Sequence, residues 1–139
     1  MALIQFPHQL FGSGQFTATV LDNNGTPTHV LEAGAPFRVE TSWEIPASAA
    51  LLLGGVWTVS VYAESIGGGP ELRTGTDTVP LNGGTNYSAN VVVPPSTLNG
   101  NPSPPASGVY KLVTVLTHRN FGRNSDVAAI AEGPMVRIA

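Results

Sequence analysis

Glu40 and Glu44 sit four residues apart in an alternating stretch, and two carboxylates are the usual acid–base machinery for cleaving glycosidic bonds. An extended chain advances about 3.4 Å per residue, so the pair stands ~13 Å apart. Glycosidase carboxylates need roughly 5 to 9.5 Å, and the two glutamates therefore read as the solvated back of a strand. The three histidines, His8, His29 and His118, have no ligand spacing and no cysteine beside them, which leaves no zinc-type pattern. His118 closes an apolar stretch next to Arg119, with Asp126 across a turn. A histidine placed so is expected to be half-exposed and hydrogen-bonded locally; its other use would be as a ligand contact or proton switch.

Other patterns fail on position. In Asp22-Asn23-Asn24-Gly25 the glycine and glutamate that a calcium loop requires are replaced by Pro27 and Ala33, so the segment is a turn. The glycines at 12–14 and 67–69 are followed by no Lys-Ser/Thr pair, and no serine stands in a nucleophile-elbow context. Asn24-Gly25-Thr26 and Asn86-Tyr87-Ser88 match the glycosylation sequon, but a chain with nine asparagines meets that pattern by chance. No cofactor, no metal and no catalytic residue is legible, and the chain is expected not to be an enzyme.

Composition narrows the partners. Charged residues make up 11% of the 139-residue chain, less than half the usual share. Gly, Pro, Ser, Thr and Asn fill the deficit, so the surface favours contact with neighbours or sugars. One lysine, five arginines and a net charge of −3 offer no cationic face for phosphates, which excludes nucleic acid. No stretch reaches the ~18 apolar residues of a membrane helix, so the protein is not expected to be membrane-embedded. Residues 1–10 lack the basic start and apolar run of a signal peptide. Low charge content favours an extracellular, virion or particle surface.

Period-two alternation divides the chain into strands at 15–22, 28–32, 37–45, 56–64, 72–81, 85–93, 109–118 and 127–138, with one or two helical turns at 46–53. Phe37, Val39, Thr41, Trp43 and Ile45 share one face, as do Trp57, Val59, Val61 and Ala63. The 72–81 strand, rich in Thr and holding Gly75, reads as an edge. In 109–118, Tyr110, Leu112, Thr114 and Leu116 line one side while Val109, Val113 and Val115 line the other. Such a two-sided strand is expected at the centre of its sheet, between 56–64 and the C-terminal strand. Residues 94–107 form a proline-rich loop, and Gly133-Pro134 must bend the last strand.

The strand count, the early Tyr110 and the tryptophans on preceding strands resemble an immunoglobulin-like or fibronectin-type architecture. The resemblance implies an all-β fold, a two-sheet antiparallel sandwich of seven to nine strands, with a jelly roll as the alternative. It lacks the Cys pair of antibody domains, and the 94–107 loop is long. The domain reading is an apolar arm over residues 1–14 and a single β-sandwich over 15–139.

Two features point to an interface. Leu3, Ile4 and Phe6 lie in an uncharged apolar arm that must pair with its own domain's edge or add to a neighbour's sheet. Arg119, Phe121 and Arg123 lie in one turn, where Phe121 either folds back onto the core or is displayed between two arginines as an interface anchor. The functional expectation is a structural or assembly module, part of a surface, filament or particle, binding itself or another protein. The alternative is a carbohydrate- or cell-surface-binding module using Trp43, Trp57 or Tyr62.

Overall fold

The computed structural model describes residues 2–6, 14–68, 71–100, 104 and 107–139; His8 and much of the arm and of the 94–107 loop lie outside them. Nine strands and one short helix are found among the described residues: β1 (Ala2–Ile4), β2 (Gly14–Leu21), β3 (Val30–Leu31), β4 (Phe37–Glu44), α1 (Ala47–Leu52), β5 (Val56–Ser65), β6 (Glu71–Pro80), β7 (Asn86–Val93), β8 (Val109–Asn120) and β9 (Arg123–Ile138). They form a β-sandwich of a four-stranded sheet, β1-β2-β4-β7, and a five-stranded sheet, β3-β9-β8-β5-β6. All pairings are antiparallel except the short parallel pair of β3 on β9.

Alternation decides which side chains meet between the sheets. In β4 every second residue from Phe37 to Trp43 is buried and the intervening ones are not. The same holds for β7, where Tyr87, Ala89, Val91 and Val93 turn inward. Trp43 and Tyr87 from one sheet meet Trp57 from the other, with Phe16 packed on Trp43. The Trp43 and Trp57 rings are 6.0 Å apart and edge-on, and Tyr87 stacks on Trp43 at 5.9 Å. Edge-to-face contact is the favoured aromatic geometry.

β8 is the middle strand of the larger sheet, between β5 and β9. Tyr110 enters it just after Gly108, and its hydroxyl donates to the Asn99 carbonyl (3.1 Å) and accepts the Asn99 N–H (3.2 Å). A tyrosine tied back in this way at the start of the penultimate strand is a hallmark of immunoglobulin-like sandwiches, as is a buried tryptophan on the strand corresponding to β5. Both fit the β2-β4-β7 and β9-β8-β5-β6 order better than a jelly roll.

β6 is the outer strand of its sheet and comes against β7, the outer strand of the other. Gly75 permits this. A Cβ there would stand 2.7 Å from Val91 Cγ1 and 3.0 Å from the Val92 carbonyl oxygen. Opposite it β5 and β6 slip register between Val61 and Tyr62, and the buried Thr74 hydroxyl donates to the Val61 carbonyl at 3.1 Å.

Overpacking a closed seam costs about 1–3 kcal/mol. Gly75→Val is therefore expected to lower the unfolding free energy by that amount, read as a lower urea midpoint. Gly34→Ala, where an added Cβ meets nothing within 4 Å, should leave it nearly unchanged.

Candidate functional site

The β8–β9 hairpin turns through Phe121 and Gly122, with φ of 51° and 73°. Two positive φ values make the tight turn that matches strand twist, for which Asn-Gly is the usual sequence. A phenylalanine there is strained by about 1–2 kcal/mol, and it is 96% exposed. The ring is displayed and does not fold back onto the core. Arg119 Nη2 donates to the Gly122 carbonyl at 2.8 Å, and Arg123 pairs with Asn120 at the strand end. Two arginines thus frame an exposed aromatic held in a conformation its own chemistry disfavours.

The same end of the sandwich carries α1. Its Ala49 and Ala50 are buried while Leu51 and Leu52 face solvent. Gly55 joins it to the hairpin: with φ at +97° it lies so close to the Arg119 carbonyl that no Cβ fits. His118 ties the two together. The Gly54 carbonyl accepts from Nε2 at 2.6 Å, which leaves Nδ1 for the Ser125 hydroxyl at 2.7 Å. The imidazole packs on Trp57 at 5.2 Å and is 1% exposed. The expected half-exposed position is thus corrected: His118 continues the inward series of Tyr110, Leu112, Thr114 and Leu116, and Gly54 and Ser125 satisfy both ring nitrogens there.

The arm's residues separate. Ala2, Leu3 and Ile4 pair with Phe16, Gln15 and Gly14 of the same chain. Gln5 then crosses to the other sheet, its N–H donating to the Ala128 carbonyl at 2.8 Å. Ile4 is fully buried in the core, so this candidate interface residue is withdrawn: strand pairing turns its side chain inward. Leu3 is exposed, and Phe6 is partly buried against the core.

The remaining sequence candidates disperse. Glu40 and Glu44 lie on the outer face of the smaller sheet beside Thr19, Asn90, Gln15 and Asn86. Asp22 Oδ1 accepts the Asn24 and Thr26 N–H groups, each at 2.9 Å, and so closes a turn. Trp43 and Trp57 are buried, which removes them as sugar platforms and leaves Tyr62.

The outer face of the larger sheet was not singled out in the sequence. β8 points Val113, Val115 and Thr117 outward, all half-buried. Tyr62 stands beside Val113, and Ile130 beside Val115. Met135 and Val30 are exposed toward the far end. Tyr62 is 41% and Ile130 57% exposed, so an apolar stripe runs along the sheet with no element over it among the described residues. Charges rim it: Glu64, Glu71 and Arg73 on one side, and Lys111, ion-paired to Glu132 at 3.7 Å, on the other. The sequence signal is the two-sided apolar pattern of β8 itself, with Val113 and Val115 opposite Leu112 and Leu116.

Fold and surface together define a β-sandwich whose larger sheet carries an apolar stripe, Tyr62, Val113, Val115 and Ile130, on its outer face. No protein-family model and no curated protein matches the chain. Among solved structures it is similar to part of the beta-glucosidase from Listeria innocua, crystallised in complex with glucose. The two share 13% identity at a TM-score of 0.50, over 89% of this chain and 16% of that one. Likeness at that identity concerns the fold alone.

Asparagine adopts positive φ far more readily than phenylalanine. Phe121→Asn is expected to raise stability by about 1 kcal/mol by relieving the turn, read as a higher urea midpoint. A drop would mean that the ring supports the fold.

Proposed function

We propose that the protein is a non-catalytic assembly module that associates through the outer face of its five-stranded sheet. The observation that carries this reading is β8. It is the middle strand of the larger sheet, with one side in the core and Val113 and Val115 on the other side, half-buried under no other element among the described residues. Contiguous apolar area on a monomer surface marks an interaction site more often than chance exposure. The low charge content supports the same reading, because few charges oppose close approach. The displayed Phe121 with Arg119 and Arg123, and the nearby Leu51 and Leu52, form a second contact region at one end.

The reading places less weight on strand donation by the arm, since Ala2–Gln5 already pair at home and Ile4 fills the core. No helix among the described residues is long and apolar enough to cross a membrane. A second reading, binding of carbohydrate or a cell surface, rests on Tyr62 and Phe121 as exposed aromatics and on the likeness to part of a glucose-complexed protein.

Sedimentation velocity across a concentration series tests the first reading. The native protein should shift to a larger species as concentration rises. Val115→Glu and Ile130→Lys, both on the exposed face, should remain monomeric with unchanged circular dichroism. A native protein that stays monomeric, together with binding on a glycan array that Tyr62→Ala abolishes, would favour the second reading.

A further inference from the structure

The strand registers put the rim charges and apolar residues of the outer face in defined rows. Across β6, β5, β8 and β9, one row reads Glu71, Glu64, Lys111, Met135. The next reads Arg73, Tyr62, Val113, Glu132, and the third Thr76, Ser60, Val115, Ile130. Two more rows follow: Thr78, Thr58, Thr117, Ala128, and then Pro80, Val56, Arg119, Asn124. In each row, outward residues come from strands on both sides of the β5–β8 junction.

Resting on the assembly reading above, we infer that the occupant of this face is a second copy of the chain, docked face to face about a two-fold axis that runs along the strands between β5 and β8. That axis keeps every row at its own level and reverses its order. Arg73 then faces Glu132 of the other copy, and Glu64 faces Lys111, each twice by symmetry. Tyr62 meets Val113, Thr76 meets Ile130, and Thr58 meets Thr117. No like charges oppose each other in any row. Sheets packed this way cross at about 30°, and the long arginine, lysine and glutamate side chains absorb the resulting drift.

The other simple two-fold, perpendicular to the strands through the Ser60–Val115 row, fails on charge. It sets Lys111 against Arg119 and leaves Arg73 and Glu132 facing Thr78 and Ala128. Opposite charges across an interface fix register, and like charges exclude the wrong one. The self-complementary pattern therefore selects both the partner and its orientation.

Size sets the strength. Four strands at about 4.8 Å and nine residues at about 3.4 Å give a face of roughly 600 Å² per copy. Standard interfaces bury about 800 Å² per partner. The dimer is accordingly weak, reversible and sensitive to salt.

Arg73 and Glu132 are three strands apart in one chain, and the side chains meet only between copies. Arg73→Glu gives a protomer with two acidic positions, and Glu132→Arg gives one with two basic positions. Each variant alone should dimerise at least tenfold more weakly than the native protein in sedimentation equilibrium at low salt. An equimolar mixture should recover native affinity, because each copy now faces its opposite. Circular dichroism and urea midpoints confirm that both variants fold. If the native protein dimerises but both variants do so equally well, or the mixture shows no recovery, the two-fold docking is overturned and self-association through other contacts stands. If the native protein is monomeric to millimolar concentration, the self-association reading itself falls.

Discussion

The structure depends on one contact between its two layers: Trp43 of β4 meeting Trp57 of β5 edge-on at 6.0 Å. Phe16 at 6.1 Å, Tyr87 at 5.9 Å and His118 at 5.2 Å extend that contact into an aromatic cluster at the α1 end of the sandwich. Aromatic pairs of this kind contribute about 0.5–1.5 kcal/mol each beyond the area they bury. Their larger effect here is geometric. Bulky rings hold the sheets apart at this end, while Gly75 lets the β6 and β7 edges close at the side. The cluster fixes His118, His118 fixes Gly54, and the helix and the β8–β9 hairpin share one end as a result.

The two outer faces differ because their rows differ. On the smaller sheet the outward positions of β2, β4 and β7 are mostly polar: Gln15, Thr17, Thr19, Arg38, Glu40, Ser42, Glu44, Asn86, Ser88 and Asn90, with Val92 the exposed apolar exception. Thr17 and Ser42 hydroxyls even bond each other at 2.7 Å. Water covers such a surface readily. On the larger sheet β8 contributes valines where the other sheet has threonine, serine or glutamate. Solvation of that face is poor, and burial by a partner gains roughly 25 cal/mol for each Å² removed from water. Edge pairing is discouraged at the same time: β6 ends in Pro80 and carries Glu71, Arg73 and Asp77, while the β2 and β9 edges are interrupted by short segments. Association is steered from strand edges toward a face.

Strand positions were legible because a half-buried strand must alternate. Phe37, Val39, Thr41 and Trp43 could only turn inward together, and the central place of β8 followed from its apolar content. What misled was the second side of that strand. Val113 and Val115 promised a cover, and the described residues supply none. His118 continues the inward series of Tyr110, Leu112, Thr114 and Leu116, but the groups that satisfy a polar ring there, Gly54 and Ser125, come from other parts of the chain. Phe121 lay open between two readings until the positive φ at the turn pointed its ring to solvent.

By itself, then, the sequence determined the class of fold, the inward faces of β2, β4, β5 and β7, the edge character of β6 and the turn at Asp22. Each follows from local alternation or turn chemistry, which the chain carries within a few residues. Only the tertiary structure decided that Ile4 belongs to the core, that the tryptophans are beyond the reach of a ligand, and that Tyr62, Val113, Val115 and Ile130 share one exposed surface. Those residues are brought together by strand order and register, and both are set by how two whole sheets satisfy their packing at once.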